Sequence, residues 1–470
     1  MQAYFRLYEA RDIHRRRASS KSDGKETLWT PRTRGSDCGI RRIINLTLCA
    51  FCAMVLSMAA NSPIPLLLIS DSPSGPTGLG RICRDLATRI HENLSDIYRL
   101  ATAGTGSPGS IKFPWMQYNF EATPEWVMPS LPDIVEDFAG KERCRVMFIG
   151  DLHRVSWFSQ PERLGNESLA KFPVLKSWLL KANIDRWCYV PIDSSGPQDK
   201  FSFPIALTAM GFDRLLAYGK FGEGVLRRTM GDAEADKRHL TWLPHGINGD
   251  AFFSRDYTAS RDGFLDYTGA QSMLHLLGVH TKTSPIAADE VLVGVVCSNQ
   301  GRKDLPLTCE TIALLSQQRK TRFWLHTDQL ERAWSIPSLL VDYGILENTI
   351  ISLDVVSDEK LASAYSACDV TLGPGSEGFG FPLMESQFCG CPVVTGAYAG
   401  GADIVPEYWQ VEPVAYRYEG SYASKRPVYN AEDWVKKVNY LVGRRCNRPG
   451  EYDWKRLWPE RWEHWFRRGV

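Results

Sequence analysis

The sequence lacks an excess of charge of either sign. Its 470 residues carry 55 Lys and Arg against 54 Asp and Glu, which gives a formal net charge of +1 at pH 7. Nucleic-acid-binding proteins usually show a basic excess, so we expect no nucleic-acid partner. The content of 44% hydrophobic and 23% charged residues is that of a globular protein. At roughly 100–200 residues per domain, the chain is expected to form two large domains.

The sequence also lacks a complete set of cysteines for zinc. Its 12 cysteines are scattered, and the close pairs are Cys49/Cys52 in an apolar run and Cys389/Cys391 beside a Gly and a Pro. No second pair at zinc spacing completes either one. We therefore expect reduced, structural cysteines and a cytoplasmic location.

The first 60 residues show no clear helical or strand period. Residues 1–43 carry eleven Lys and Arg against five Asp and Glu, and we predict that they are disordered. The apolar segment "IINLTLCAFCAMVLSMAA" (residues 43–60) lies at the lower length limit for a membrane-spanning helix. Three hypotheses stay open: a signal or membrane anchor, a buried or interfacial helix, or an extension that is not part of the working protein. The first would give the protein a peripheral membrane association.

From residue 64 onward, short apolar runs alternate with helical patterns. "IPLLLIS" is followed by the turn-rich "DSPSGPTGLG" and then by a segment with helical spacing of Ile82, Leu86 and Ile90. Further candidate strands of this first series are "RVMFIGD", "RWCYVPID", "RLLAYGK" and "LTWLPHG". A second series holds "EVLVGVVCSN", "TRFWLHTD", "TIISLDVVS", "DVTLGPG" and "CPVVTG".

This alternation predicts an α/β fold with two doubly wound domains in series. We place an N-terminal domain at residues 61–270 and a C-terminal domain at residues 271–445. The Trp-rich residues 446–470 are predicted to form a terminal helix that packs back on the domains. A cleft between two such domains is a usual place for a ligand.

The segment "GPGSEGFGFPLME" (Gly373–Glu385) contains a G-x-G-x-x-G at Gly373, Gly375 and Gly378. This spacing suggests an NAD-dependent oxidoreductase. However, the dinucleotide fingerprint opens the first strand of its domain, and here the glycines follow the fourth strand of the second series. The spacing alone is therefore a weak indication.

Two carboxylates in the same segment are more informative. If a helix begins near Pro382, Glu377 lies in the loop and Glu385 lies in the first turn of the helix. A carboxylate can accept hydrogen bonds from two hydroxyl groups, which suits a ribose or a hexose. Phosphate prefers the backbone N–H groups of the loop and the helix N-terminus. The segment fits a sugar nucleotide, although a tight turn capped by the two glutamates explains the pattern equally well.

A family resemblance separates these explanations. "GPGSEGFGFPLMESQFCGCPVVTG", followed by "GGADIV", closely resembles the E-x7-E signature of the retaining GT-B glycosyltransferases of family four, the group 1 type. "PTGLGR", "FIGDLHRVSWF", "LPHGINGDAFF" and "VGVVCSNQGRKDL" are similar to other segments of that family, so the resemblance covers about residues 64–445. It implies a GT-B fold, with two Rossmann-like domains facing across a cleft.

The resemblance also implies roles for individual residues. Glu377 would bind the sugar hydroxyls, and Asp151 and His153 would orient the acceptor or handle its proton; these three form the predicted catalytic set. The residues predicted to bind the donor are Gly78, Gly80, His245, Arg302, Lys303, Gly378, Phe379, Gly380 and Glu385. The sequence departs from the family pattern at Cys297 and Ser298, where many members carry an Arg nearby, and at Asp403, where Glu is commoner.

The activity that the resemblance implies is hexosyl transfer from a nucleotide-diphosphate sugar to a hydroxyl acceptor, with retention. The donor would be a UDP- or GDP-sugar, and the acceptor a sugar, a lipid or a protein glycan. We expect no cofactor and no metal ion, because no D-x-D clamp lies in a plausible place. A nucleotide-sugar epimerase, the oxidoreductase and a non-catalytic interaction protein are the alternatives.

Overall fold

The computed structural model describes residues 62–106, 111–121, 127–162, 167–279, 282–353 and 355–469. From Pro63 the chain forms one compact unit. The predictions for residues 1–60, including the apolar segment 43–60, lie outside the described residues. In the part of the chain that is described, no helix has the length and apolar character needed to cross a membrane.

Seven of the described strands form the first sheet, in the order β3-β2-β1-β4-β5-β6-β7, with all neighbours parallel. The chain reverses its direction of winding between β1 and β4, as in doubly wound folds. β1 is buried on both faces, which explains its continuous apolar run. The strands are Ile64–Asp71 (β1), Tyr98–Thr105 (β2), Met116–Phe120 (β3), Cys144–Ile149 (β4), Ile184–Val190 (β5), Arg214–Ala217 (β6) and Thr241–Trp242 (β7).

Seven further strands form the second sheet, in the order β14-β13-β12-β9-β10-β11-β8. Its neighbours are parallel except for β8, which is antiparallel to β11. The strands are Gln271–Ser272 (β8), Val291–Val296 (β9), Thr321–His326 (β10), Thr349–Ser352 (β11), Val370–Gly373 (β12), Val393–Gly396 (β13) and Gln410–Val411 (β14). The prediction of two doubly wound Rossmann-like domains is confirmed. The boundaries at residues 270 and 445 stay predictions.

Helices connect the strands and cover the sheets. Those that join or follow the strands of the first sheet are Gly78–Asn93, Leu131–Ala139, Ser156–Ser159, Glu167–Ala170, Pro173–Leu179, Phe203–Met210, Lys220–Met230, Asp232–Lys237, Tyr257–Asp262 and Phe264–Thr268. Those of the second sheet are Met273–Leu276, Leu305–Ser316, Ile336–Asp342, Asp358–Ala367, Phe381–Phe388, Ala399–Ile404 and Ala431–Leu441.

Two features lie outside the sheets. Ala415–Glu419 (β15) and Ser424–Val428 (β16) form an antiparallel hairpin. Near the end of the chain, Trp454–Leu457 and Glu463–Arg468 are helical. Between them the fully buried Trp462 donates a hydrogen bond from Nε1 to the backbone oxygen of Pro244, at 2.9 Å. The terminal segment thus packs on the N-terminal domain.

Candidate active site

The glycine loop after β12 is shaped by close backbone contacts. A Cβ at Gly375 would lie 2.6 Å from the backbone oxygen of Arg302 and 2.7 Å from the Cα of Lys303. Gly380, which precedes the helix Phe381–Phe388, has a φ of +98°, a conformation that favours glycine. A Cβ at Gly378 would meet Pro191 of the N-terminal domain at 2.7 Å. The loop therefore lies between a basic turn of its own domain and the opposite domain.

Glu377 forms ion pairs with both basic residues of that turn, Arg302 and Lys303. Its Oε1 pairs with Lys303 Nζ, and its Oε2 accepts a hydrogen bond from Arg302 Nη1 at 3.2 Å. Burial raises the pKa of this carboxyl, but the charges and hydrogen bonds of Lys303 and Arg302 outweigh it and leave the pKa below its usual value. Glu377 is thus an ionised carboxylate that balances one of the two positive charges of the basic pair.

Arg302 also connects the two domains. Its Nε lies 3.4 Å from Asp193 Oδ2, just beyond the end of β5, and its Nη1 donates to the backbone oxygen of Ser376 at 2.7 Å. Asp151 follows β4 at the same sheet edge. Burial raises the pKa of Asp151 and the neighbouring Asp193 charge adds to this, against the opposing charges of His153 and Arg302. Acidic strand ends of the first sheet therefore face the basic turn of the second.

Glu385 is buried and paired with the N-terminal domain. Its Oε1 accepts a hydrogen bond from Arg81 Nη1 at 2.5 Å, and its Oε2 accepts one from the hydroxyl of Tyr365 at 3.1 Å. Burial raises the pKa of Glu385, although Arg81 opposes the change. Both carboxylate oxygens thus have protein partners.

His245 lies at the other end of the same chain of charges. Arg81 Nε is 3.9 Å from Asp85 Oδ2, and that oxygen lies 3.2 Å from His245 Nε2. The imidazole is fully buried against the rings of Phe381 and Trp454. Burial lowers the pKa of His245 to about 4, although Asp85 acts in the opposite direction. At neutral pH the ring is therefore uncharged.

The remaining predicted residues occupy different places. Gly80 lies in the first turn of the helix Gly78–Asn93, where a Cβ would meet the backbone oxygen of Ser72 at 2.4 Å, whereas a Cβ at Gly78 would meet nothing within 4 Å. Phe379 is a buried residue of the glycine loop, and its ring centroid lies 6.2 Å from that of His245. His153 is exposed, and its ring lies 6.0 Å from that of Tyr422.

The structure thus brings most of the predicted residues together in two groups. The first group consists of the predicted residues Glu377, Arg302, Lys303, Gly378 and Asp151. The second consists of the predicted residues Glu385, Phe379 and His245, together with Arg81 and Asp85 of the N-terminal domain. His153 is instead next to the hairpin. Among the described residues, no group of three or more His, Cys, Asp or Glu side chains is arranged to hold a metal ion.

The sequence reasoning missed several residues that contact the site. Arg81 directly follows Gly80 in "PTGLGR", and Asp193 ends "RWCYVPID", so both lay within segments already identified. Asp403 caps a helix of the opposite domain, where its Oδ2 accepts a hydrogen bond from the backbone N–H of Phe221 at 2.8 Å. Arg426 reaches Asp193 from the hairpin, and no motif pointed to it.

Comparisons with known proteins agree with this architecture. Residues 290–417 match the family model described as "Glycosyl transferases group 1". Over 117 residues the chain is 32% identical to a D-inositol 3-phosphate glycosyltransferase from Mycobacteroides abscessus. This alignment covers 25% of the chain and 24% of that protein, so the chain spans about a quarter of the length of the curated relative that it matches.

Solved structures show the fold. A sucrose-phosphate synthase from Thermosynechococcus elongatus is similar with a TM-score of 0.55 and 16% identity, over 86% of this chain and 98% of that one. HepE from Anabaena, solved in complex with UDP and glucose, is similar with a TM-score of 0.57 and 13% identity, over 86% of this chain and 100% of that one. The chain therefore has the GT-B fold, and its residues 290–417 are similar to the glycosyl transferases group 1 family.

Proposed function

We propose that the protein is a glycosyltransferase that moves a hexosyl group from a UDP- or GDP-sugar to a hydroxyl acceptor, with retention and without a metal ion. One observation carries the proposal: the basic pair Arg302 and Lys303 lies between the carboxylate of Glu377 and the acidic strand ends of the opposite domain. This pair belongs to the segment that matches the group 1 family model.

The diphosphate of the donor would replace Glu377 as the partner of the basic pair. Arg302 and Lys303 are held within hydrogen-bond distance of a carboxylate, so they can hold a phosphate in a similar way. The Glu377 carboxylate, once released, would accept hydrogen bonds from the sugar hydroxyls. The backbone N–H groups of Gly378, Phe379 and Gly380 would add donors at the start of the helix.

The donor ribose would bind Glu385. Since Arg81 and Tyr365 each donate a hydrogen bond to one oxygen of this carboxylate, the ribose hydroxyls would have to replace at least one of these contacts. Because Arg81 belongs to the N-terminal domain and Glu385 to the C-terminal domain, loss of their contact would couple donor binding to the relative position of the two domains.

The chemical step forms a bond between the acceptor oxygen and the anomeric carbon and breaks the bond from that carbon to the diphosphate. Fixed positive charge stabilises the departing diphosphate, and Arg302 and Lys303 would supply it. For retention, the acceptor would attack on the face that the diphosphate leaves, and a phosphate oxygen would take its proton. Asp151, whose pKa is raised by burial, would orient the acceptor hydroxyl, with His153 beside it.

The acceptor we propose is a sugar, a lipid or a protein glycan. The relative from Mycobacteroides abscessus is named for an inositol 3-phosphate acceptor, and the Anabaena structure contains UDP and glucose. Both names are consistent with a nucleotide-sugar donor and a polyhydroxylated acceptor. A cytoplasmic location and a membrane association through residues 43–60 stay predictions.

Product analysis tests this proposal. The full chain is incubated with UDP- and GDP-sugars of known anomeric configuration, with and without acceptor extracts, and the products are followed by proton NMR. We expect a glycoside with the anomeric configuration of the donor, formed equally well in the presence of EDTA. Interconversion of the sugar nucleotide without acceptor would favour the epimerase, inversion would refute the retaining mechanism, and loss of turnover with EDTA would refute metal independence.

A further inference from the structure

The hairpin formed by β15 and β16 crosses from the C-terminal domain to the N-terminal domain. The backbone N–H of Lys425 donates a hydrogen bond to the backbone oxygen of Ser195 at 2.7 Å, and its Nζ lies 2.8 Å from Asp199 Oδ1. The hydroxyl of Tyr398 accepts a hydrogen bond from the backbone N–H of Ser195 at 3.0 Å. The hairpin is therefore anchored beside the acidic strand ends of the first sheet.

Arg426 on this hairpin shares a carboxylate with Arg302. Asp193 Oδ1 lies 3.4 Å from Arg426 Nη1, and Asp193 Oδ2 lies 3.4 Å from Arg302 Nε. Arg426 Nη1 also donates to the backbone oxygen of Asp193 at 3.1 Å. Two guanidinium groups from different elements thus converge on one anion, and guanidinium binds carboxylate and phosphate with the same planar geometry.

A small depression lies beside this pair. Arg302, Arg426 and a third arginine, Arg417, line it together with two carboxylate residues, Asp304 and Glu419. The buried Nε of Arg426 lies 3.5 Å from Glu419 Oε2 and makes no hydrogen bond with any described residue. This N–H is therefore paired by charge alone.

The charges of this group are balanced. Its cationic side chains are Arg302, Lys303, Arg417 and Arg426, and its carboxylates are Glu377, Asp193, Glu419 and Asp304. A phosphate that enters would therefore have to displace a carboxylate from its arginine partners.

We propose that Arg426 and Arg302 form one phosphate-binding site, in which the Asp193 carboxylate is the resident anion until a phosphoryl group of the nucleotide-sugar donor displaces it. The inference rests on the proposed function, since it assigns the phosphate to the donor. It extends the donor site beyond the glycine loop and the basic turn to a residue that comes from the hairpin. A phosphorylated acceptor is the other source of the same chemistry, and the experiment separates the two.

Isothermal titration of the full chain tests the site, with UDP, GDP, uridine, guanosine and inorganic pyrophosphate as ligands. Loss of one hydrogen bond to a charged group lowers affinity by roughly ten- to a hundredfold. We expect Arg426→Ala to weaken by that factor the binding of pyrophosphate and of whichever nucleoside diphosphate the wild type binds, and to leave the nucleoside unchanged. Asp193→Asn should instead tighten binding of the diphosphate, because the competing carboxylate charge is gone.

Lys425→Ala is the matched control. It removes the neighbouring contact between the hairpin and Asp199 but leaves the pair of arginines in place, so it should bind the nucleoside diphosphate as the wild type does. Arg426→Lys retains the charge without the planar fork and should bind with intermediate affinity. If Arg426→Ala proves unstable in a melting experiment, Arg426→Lys and Asp193→Asn still give the two opposite shifts.

Equal losses in Arg426→Ala and Lys425→Ala would show that Arg426 only anchors the hairpin, and would overturn the proposal. Unchanged diphosphate affinity in Arg426→Ala, or weaker binding in Asp193→Asn, would also overturn it. If Arg426→Ala binds pyrophosphate more weakly but UDP and GDP as the wild type does, the site binds another phosphate, and its assignment to the donor is refuted. If the variants show these shifts in UDP or GDP affinity but the wild type transfers no sugar, the proposed function is refuted and the phosphate site is supported.

Discussion

His245 should make the stability of the protein depend on pH. The imidazole is fully buried, its Nε2 lies 3.2 Å from Asp85 Oδ2, and aromatic rings surround it. Burial lowers its pKa from the model-peptide value of 6.5 to about 4, although the hydrogen bond and the charge of Asp85 oppose this. The folded protein therefore binds the proton of His245 less readily than the unfolded chain does.

The size of the effect follows from this difference. At about 1.36 kcal/mol per pH unit, a fall from 6.5 to about 4 corresponds to roughly 3 kcal/mol of unfolding free energy. Because the pKa of the folded state is the lower one, this stability is present above pH 6.5 and is lost as the pH falls towards 4. For a domain of about 200 residues, a change of 1 kcal/mol in unfolding free energy changes the melting temperature by about 2–4 °C. Protonation of His245 should therefore lower the melting temperature by about 6–12 °C.

Calorimetric melting of the wild type and of His245→Gln between pH 7.5 and 4 measures this contribution. Glutamine keeps a hydrogen-bonding group near Asp85 but does not titrate. The melting temperature of the His245→Gln variant should therefore fall less steeply than that of the wild type as the pH is lowered. His464→Gln, which replaces an exposed histidine, should follow the wild type. Parallel curves for His245→Gln and the wild type would refute the reasoning, because they would show that His245 does not titrate with the unfolding equilibrium.

Three further predictions concern packing. Gly375→Ala places a Cβ 2.6 Å from a backbone oxygen of the basic turn and should displace that turn. A displacement of about 1 Å at a catalytic group lowers the reaction rate on the order of a hundredfold. An unchanged steady-state rate of nucleotide release would contradict this prediction. Gly80→Ala should lower the melting temperature, whereas Gly78→Ala, with open space around it, should not, and equal melting of the two variants would contradict the steric argument. Trp462→Ala should lower the unfolding free energy by about 3–5 kcal/mol in urea titrations because the indole is fully buried; a loss below about 1 kcal/mol would contradict the packing.

The strands with continuous apolar runs could be predicted from the sequence, because burial on both faces of a parallel sheet leaves a local signal. The run "IPLLLIS" became β1, and "TRFWLHTD" contains β10 (Thr321–His326). β2, with the sequence "YRLATAGT", was missed because its small and polar residues are buried by neighbouring strands and carry no such run. The hairpin of β15 and β16 was missed for a different reason: β15 is almost wholly exposed, so no buried apolar run marks it in the sequence.

The residues of the candidate site also divide into those that the sequence could predict and those that it could not. The glycine loop, Glu377 and the basic turn were found from the motif, because the segments that hold them are continuous in the chain. Arg81, Asp193 and Arg426 were not assigned roles, because each acts on a residue more than 100 positions away. The family resemblance also gave His245 a donor-binding role, whereas the contacts that the structure shows for it are with Asp85 and aromatic rings. Only the folded chain brings such partners together.

The rate of UDP or GDP release from sugar nucleotides, in the presence of acceptor extract, tests whether the protein transfers sugar from such a donor. Glu377→Gln removes the carboxylate that is proposed to accept hydrogen bonds from the sugar hydroxyls, and Glu407→Gln changes an exposed glutamate of the same domain as a control. We predict release by the wild type and by Glu407→Gln at equal rates, and release by Glu377→Gln that is slower by about 10²–10³-fold. Glu377→Gln activity equal to that of the wild type, or no release by the wild type from any donor, would contradict the account.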